Sequence, residues 1–268
     1  MQIYYLGPKG TFSYLASQRF VNQNRIQHYD FVPKANLYEV IKYVSQDNAS
    51  IGIVPIEISI EGTINIVADS LAQQNVYAHG ELHLDIDFAL YGKAGSQISD
   101  IKKVYSIAPA ISQTSNYIMK HQFDYDYVDS TVKGFDMINK HTGAIAPLAN
   151  ENDYDFEILD THIQDFAHNA TRFLIIKNHA NFDSNTNTSM FLITPKYDKP
   201  GLLASILNTF ALFNINLSWI ESRPLKTKLG QYHFFVQADA PVSQDVKKVM
   251  TILNTLDFET KLVGSFYK

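Results

Sequence analysis

The chain contains no cysteine in its 268 residues, which excludes disulfides, thiolate nucleophiles, cysteine-based zinc sites and iron–sulfur clusters. It has no excess of positive charge either. Twenty-two Lys and Arg stand against 27 Asp and Glu, a formal net charge of −5, so nothing in the balance marks a nucleic-acid or anionic-membrane surface. Long apolar runs are missing: none approaches the roughly 18 residues that a membrane-crossing helix needs. The start, Met1-Gln2-Ile3-Tyr4-Tyr5-Leu6-Gly7, lacks the charged and apolar regions of a leader. These absences lead to the expectation of a soluble, cytoplasmic protein with no nucleic-acid or membrane partner. The nine histidines form no H-E-x-x-H, and His79 and His83 stand four apart at the entry to a strand, so no metal is expected. G-x-S-x-G, G-x-G-x-x-G and the P-loop pattern are absent as well, which removes the usual hydrolase, dinucleotide and nucleotide signatures.

What remains is a chain with 46% hydrophobic residues, long enough for two or three units of about 100 residues each. Gln2–Leu6 reads as a buried strand, followed by the turn Gly7-Pro8-Lys9-Gly10-Thr11-Phe12-Ser13, where Thr11 or Ser13 can cap a helix. Two glycines and a helix N-terminus make that turn a plausible cradle for a carboxylate. Ser50–Ile56 is a second strong strand, expected to stop at Pro55 and to lead through Glu57-Ile58-Ser59-Ile60-Glu61-Gly62 into a helix over about 64–73. Strict alternation from Leu82 to Leu90 predicts one half-buried strand crossing into a second lobe. Lys102–Ser106 is a strand, and Pro109 suits the first turn of a helix reaching about His121. Asp124–Val128, Gly143–Ala146 and Phe156–Asp160 read as the remaining strands of this lobe. The chain then returns to Asn169-Ala170-Thr171-Arg172-Phe173, where a hydroxyl and a guanidinium open an apolar strand.

Beyond a polar linker over 178–187 the pattern becomes β-α-β-β-α-β: Ser189–Thr194, Gly201–Phe213, Asn216–Arg223, Tyr232–Ala238, Gln244–Leu256 and Glu259–Ser265. That is the order of a ferredoxin-like split βαβ. Leu203, Ile206, Leu207, Phe210 and Phe213 form one apolar stripe on its first helix. Trp219 reads as core or interface packing.

Four stretches, in order, resemble prephenate dehydratases. Gly7-Pro8-x-Gly10-Thr11-Phe12-Ser13 matches an amino-terminal signature, and Asn169-x-Thr171-Arg172-Phe173 matches the active-site signature. Pro55, Ile56, Glu57, Ser59 and Gly62 fit a Pro-Ile-Glu-Asn-Ser-x-x-Gly segment, with Ile58 in place of asparagine. Ser106, Ala110 and Gln113 fit a Ser-His-x-x-Ala-x-x-Gln run, with Ile107 in place of histidine. Pro200-Gly201-Leu202-Leu203 and Glu221-Ser222-Arg223-Pro224 look like motifs of the ACT amino-acid-binding domain, with Leu202 where alanine is usual.

The resemblance implies an α/β protein: a two-lobed, periplasmic-binding-protein-like catalytic domain over 1–178, followed by an α+β ferredoxin-like ACT regulatory domain over 188–268. Lobe 1 would take about 1–80 and 166–178, and lobe 2 about 81–165. It implies a lyase that converts prephenate to phenylpyruvate, water and CO2 without a cofactor, inhibited by L-phenylalanine, in a homo-oligomer (dimer or tetramer) joined through ACT domains. The implied catalytic set is Thr171 as the proton donor or as one link of a relay that positions it, Arg172 on a carboxylate, and Glu57, Ser59, Ser106 and Gln113 orienting the ring and its hydroxyl. Gly10, Thr11, Phe12, Ser13, Asn169 and Phe173 would line the substrate. Gly201, Leu202, Leu203, Ala204, Asn216 and Leu217 would hold L-phenylalanine, with Glu221, Ser222, Arg223 and Pro224 as the second ACT motif. Two other readings stay open from the sequence: an arogenate dehydratase, and a non-catalytic amino-acid-sensing binding protein.

Overall fold

The structure is a computed structural model and describes residues 1–148, 156–181, 185–226 and 230–268. Lobe 1 opens with β1 (Gln2–Leu6), α1 (Phe12–Gln23), β2 (Asp30–Lys34), α2 (Leu37–Gln46), β3 (Ile51–Ile58), the short β4 (Gly62–Thr63), α3 (Asn65–Gln73) and β5 (Tyr77–Asp85). Thr11 caps α1 by accepting from the Tyr14 N–H, and Asn36 caps α2 by accepting from the Glu39 N–H at 2.9 Å. β3 is buried from Ile51 to Ile56, as expected of a strand with both faces covered. One face meets α1 through Ile51 and Ile53; the other meets α2 and α3 through Val54 and Ile56.

β3 does not stop at Pro55. It runs on to Ile58, because β1 pairs only as far as Ile53 and the β11 ladder on the other side is irregular opposite Pro55, so the missing N–H breaks no regular bond. The alternating stretch at 82–90 is likewise two strands. β5 ends at Asp85 in the lobe 1 sheet, and β6 (Phe88–Lys93) begins the lobe 2 sheet after a break at Ile86 and Asp87. Period two continues through the break, so the pattern conceals the change of sheet. Lobe 1 therefore extends five residues further than its expected end.

Lobe 2 adds β7 (Lys103–Ser106), α4 (Ala108–Gln113), α5 (Ser115–His121), β8 (Asp124–Tyr127), β9 (Thr142–Pro147) and β10 (Phe156–Thr161), in a five-stranded sheet ordered β10-β6-β9-β7-β8. The expected single helix from Pro109 to His121 is broken at Thr114, whose hydroxyl donates back to the Ala110 carbonyl. Between β8 and β9 a 3₁₀ segment runs over Val132–Met137. Return to lobe 1 is by β11 (Ala170–Lys177), which lies between β3 and β5. The outgoing and returning segments are tied together: Gln164 accepts from the Phe88 N–H at 3.1 Å and donates to Asp87 at 2.7 Å, and the Ile86 N–H donates to the Asn169 carbonyl at 2.8 Å.

The C-terminal unit comprises β12 (Thr188–Pro195), α6 (Leu202–Ala211), β13 (Leu217–Pro224), β14 (Tyr232–Ala238), α7 (Gln244–Thr255) and β15 (Phe258–Phe266), with strand order β13-β14-β12-β15. This is the ferredoxin-like order. Its helices cover one face around Ile206, Phe210, Val249 and Leu253, while the other face turns Met190, Trp219 and Phe235 into the lobe 1 core. It does not hang from a linker as a separate body. β15 pairs with β5 at Gly264 and Ala78, giving one ten-stranded sheet. A Cβ on Gly264 would fall 2.5 Å from the Ala78 Cβ, so the join requires glycine there. Residues 182–184 of the expected linker lie outside the described residues; Asn181 and Thr186 on either side both bond Ser265. Among the described residues no helix is long and apolar enough to cross a membrane.

Candidate active site

The lobes meet at the start of β11. Asn169 and Thr171 lie two apart on an extended segment, so their side chains share a face. Thr171 pairs with Leu84 on β5 and Ile58 on β3, so it lies on the face that continues into Phe173, Ile53, Leu82 and Ala16 of α1. The Asn169 Nδ2 donates to Gln113 Oε1 at 2.7 Å, and Gln113 Nε2 donates to Glu61 Oε1 at 2.7 Å. Lobe 2's Gln113 thus sits between the strand that carries Thr171 and the lobe 1 loop after β3. Asn169 is 4% exposed, and its Oδ1 has no hydrogen-bond partner among the described residues. Among the described residues the Thr171 hydroxyl makes no hydrogen bond. A buried carbonyl and a free hydroxyl therefore occupy one side of the lobe junction.

The turn before α1 approaches from lobe 1. Gly10 has φ +88°, and Thr11 both caps the helix and donates to the Leu6 and Pro8 carbonyls at 3.0 Å. Phe12 packs against both lobes and meets Phe88 edge to face, with ring centroids 5.2 Å apart. The first-turn N–H groups of Phe12 and Ser13 have no helical carbonyl to bond, which suits them to an anion.

Several expected site residues are used differently. Ser106 is fully buried and donates to the Ile145 carbonyl at 2.6 Å, so it braces β7 against β9 instead of orienting a ligand. Ile107, where histidine is usual, packs against the lobe 2 core. The Ser59 hydroxyl donates to the His168 carbonyl at 3.2 Å and accepts from the Ala170 N–H at 3.0 Å, which fixes the backbone that leads to Thr171. Phe173 is 1% exposed and belongs to the core behind Thr171, so it does not line the ligand.

Arg172 departs furthest from expectation. It alternates to the opposite face from Thr171, where its Nε and Nη2 donate to Glu81 Oε2 at 2.9 and 2.6 Å and Nη2 also donates to Gln237 Oε1. Glu57, directly opposite on β3, lies on this face as well, 3.6 Å from Nη1. The Arg172 guanidinium is 5.7 Å from the Trp219 ring centroid. Arg172 and Glu57 consequently face the C-terminal sheet, away from Thr171.

At the C-terminal unit, Gly201 opens α6 with φ +84°, and Leu202, Leu203 and Ser222 help line a cavity of about 330 Å³ with Tyr232 and Phe234. Ala204 is exposed on the same turn. Asn216 and Leu217 are at the other end of α6, about 15 Å away for a ten-residue helix. The Asn216 carbonyl accepts from Asp239 N–H and its side chain donates to the Asp239 carboxylate, while Leu217 packs into the core. One chain therefore does not assemble the six expected effector residues. Glu221 accepts from Thr63 at 2.8 Å, and Arg223 bonds Asp69 at 3.0 Å and Asn65 at 2.6 Å, so this motif docks onto lobe 1; Pro224 lines a second cavity beside Asp69 and Lys226. Burial alone would raise the Asp69 carboxyl, but hydrogen bonds and charge from Arg223 and Lys226 outweigh it and hold the group below its ordinary value.

Sequence reasoning did not single out Glu81, Gln237 or Asp69. Asp69 and Gln237 are polar residues inside apolar runs, a weak sign of a buried partner that does not say which one, and Glu81, between Gly80 and Leu82 with histidines on either side, carries no such sign.

Fold and site together define a two-lobed α/β cleft protein with a polar cluster at the lobe junction and a ferredoxin-like unit built onto one lobe. The family model for prephenate dehydratase matches residues 3–181, and the chain belongs to the prephenate dehydratase family. It is 35% identical over 273 residues to a prephenate dehydratase of Methanocaldococcus jannaschii, covering 98% of this chain and 95% of that one. It is 65% identical to the prephenate dehydratase of Staphylococcus aureus subsp. aureus Mu50, whose crystal structure aligns with a TM-score of 0.90 over 99% of this chain and 100% of the other. A prephenate dehydratase from Arthrobacter aurescens, solved in complex with L-Phe, is 26% identical with a TM-score of 0.88, covering 100% of this chain and 90% of that one.

Proposed function

We propose that this chain converts prephenate to phenylpyruvate, CO2 and water, and that L-phenylalanine regulates it through the C-terminal unit. In the reaction the bond from the ring to its carboxylate breaks, the electron pair moves into the ring, and the hydroxyl at the opposite ring carbon leaves as water once it gains a proton. Aromatisation supplies the driving force, so the protein must hold two carboxylates and assist one departing oxygen.

The observation that carries this reading is the pair at the lobe junction: the free Thr171 hydroxyl beside the buried, unpartnered Asn169 Oδ1. Thr171 donates to the leaving oxygen, and Asn169 Oδ1 accepts a hydrogen bond from that hydroxyl, which keeps its own proton, so the two together orient it for departure as water. The N–H groups at the start of α1 hold a carboxylate, the task that Arg172 leaves unfilled. Gln113 and Glu61 bring the lobes together over the ring. No cofactor enters these steps.

For regulation, the cavity at the start of α6 offers helix N–H groups for a carboxylate and Leu202, Leu203 and Phe234 for an aromatic ring. A second chain would supply the missing Asn216 end. β13 is one of the two edges of the ten-stranded sheet, and Ile220 on it, Leu203 and Leu207 on α6 and Leu212 just beyond it are exposed, which supports a homo-oligomer formed through this unit.

The test is purified protein assayed with prephenate and with arogenate, following phenylpyruvate and phenylalanine release, with and without added L-phenylalanine. Turnover of prephenate is expected. Turnover of arogenate alone would reassign the substrate, and turnover of neither would overturn the reading.

A further inference from the structure

We propose that Glu81, Arg172 and Gln237 form a positioning node through which the C-terminal sheet holds the Thr171 strand in its working register. This rests on the reading of Thr171 above.

The node is buried. Arg172 is 8% exposed and Gln237 fully buried, and the Glu81 side chain is 3% exposed. An arginine so placed is stable only with its partners present, since an uncompensated buried guanidinium is costly. Those partners come from both sides of the chain. Glu81 is on β5, opposite Leu174 and so diagonal to Arg172 on the same face. Gln237 and Trp219 are register neighbours on β14 and β13 of the C-terminal unit. One side chain, adjacent in sequence to the proposed proton donor, is thus shared between the catalytic lobe and the regulatory sheet.

Backbone pairing gives this side chain something to do. The ladder between β11 and β3 shifts register between Arg172 and Phe173, where Glu57 pairs with Arg172 and Pro55 with Phe173. On the β3 side regular ladder bonds do not fix the strand at that step; on the β5 side the ladder is regular from Ala170 to Ile175, and the guanidinium adds its bonds to Glu81 and Gln237 to that one-sided hold. The node also has unused capacity: Glu81 Oε1 and Gln237 Nε2, an acceptor and a donor, both lack hydrogen-bond partners among the described residues. His83 and Lys268 lie 3.6 and 3.9 Å from Glu81 Oε1, beyond hydrogen-bond reach. A small movement of β14 that joined this donor and acceptor would change what Arg172 holds, and with it the strand entry at Thr171. The node is therefore a physical element with two possible sets of pairings, which coupling between distant sites requires.

The experiment is steady-state kinetics on the full chain with prephenate, comparing wild type, Gln237→Met, Arg172→Lys and the double variant. Methionine keeps the shape and removes the acceptor; lysine keeps the charge and loses the planar fork. Each single change is expected to lower kcat by roughly tenfold with KM within about twofold, the pattern of a misplaced catalytic group and not of a lost substrate contact. The double variant should cost no more than the worse single, because both break one node. A several-fold rise in KM for Arg172→Lys, with Gln237→Met at wild-type kcat, would return Arg172 to the substrate and overturn the node. A lowered melting temperature for Gln237→Met with unchanged kcat would reduce it to a structural contact. If Gln237→Met does not fold, Trp219→Phe, which weakens the aromatic contact and keeps most of the bulk, takes its place under the same criteria. An inactive wild type would sink the reading of the site, whereas an active wild type with an unaffected Gln237→Met sinks the node alone.

Discussion

The two faces of β11 share one backbone and differ in nearly everything else. On one, Thr171, Phe173 and Ile175 lie with Ile53, Leu82 and Ala16, and the row ends in a hydroxyl with no partner among the described residues. On the other, Arg172, Leu174 and Ile176 lie toward Met190, Trp219 and Phe235, and the row ends in a guanidinium bonded to two residues and close to two more. A free hydroxyl beside a cleft costs little, because a ligand or water can satisfy it. A buried guanidinium has no such recourse and must be satisfied from within. The contiguous motif is therefore two motifs interleaved at period two, one facing the lobe junction and one facing the C-terminal sheet.

The change with the largest expected effect breaks the first face. Thr171→Ala should lower kcat by roughly 10²–10⁴ with little change in KM, the usual scale for a lost proton-transfer group, and Thr171→Ser should keep most of the rate. Steady-state assays with prephenate decide it. An alanine variant with more than about a third of the wild-type kcat would remove Thr171 from the chemistry.

Next is Gln113→Leu, which removes both hydrogen bonds linking Asn169, lobe 2 and the Glu61 carboxylate. Two bonds, one of them to a charged group, predict a loss of about 2–3 kcal/mol, or roughly 30- to 150-fold in kcat/KM. Glu61→Gln should lose less, since an amide oxygen still accepts from Gln113. Equal losses in the two variants would show that the Asn169 contact contributes nothing.

Most of the architecture was legible because it is written in short-range patterns. The βαββαβ order, the Thr11 cap, the half-buried strands and the return of the chain to Asn169 all follow from periodicity and turn chemistry. The errors at the site and at the lobe boundary share one physical origin: the sequence does not say what lies on the far side of a strand. Alternation ran unbroken through Ile86 and Asp87 while the chain changed sheets. Arg172 and Glu57 were expected beside a ligand with their neighbours in sequence, yet Arg172 reaches Gln237 and Trp219 on strands far down the chain, and Glu57 faces Arg172. Ser106 and Ser59 read as ligand-binding hydroxyls, and backbone groups from Ile145 and from His168 and Ala170 claim both.

A third prediction tests the partnered face through stability. Asp69 holds Arg223 and Lys226 at the junction of α3 with the C-terminal sheet, with contacts of 3.0 and 2.6 Å. Its folded-state value is depressed, so its contribution is complete above the unfolded carboxyl value and is lost as the pH falls through the folded one. Asp69→Asn should cost about 2 kcal/mol of stability at neutral pH, seen as a lower melting temperature. The gap between wild type and variant should narrow below about pH 4. A gap constant with pH would mean that the amide fails on geometry and not on charge.

The smallest effect is also the one that sharpens the comparison most, because it concerns the residue paired with Thr171 on the cleft side. Ile58 stands where prephenate dehydratases usually carry asparagine, and its pairing across from Thr171 puts its side chain on the same face, partly exposed. It has not become a core residue, and it is absent from the apolar clusters that bury Ile53 and Ile56. An asparagine there would stand beside the Thr171 hydroxyl and could donate to or accept from a bound substrate. One added hydrogen bond is worth about 1 kcal/mol net, so Ile58→Asn is expected to raise kcat/KM several-fold at little cost in melting temperature, since few apolar contacts are lost. The assay is kcat/KM for prephenate, with a thermal melt on the same preparation. A several-fold loss in kcat/KM with an unchanged melt would show that the isoleucine itself packs against the substrate ring, and that this chain holds its ligand with an apolar wall where its relatives use an amide.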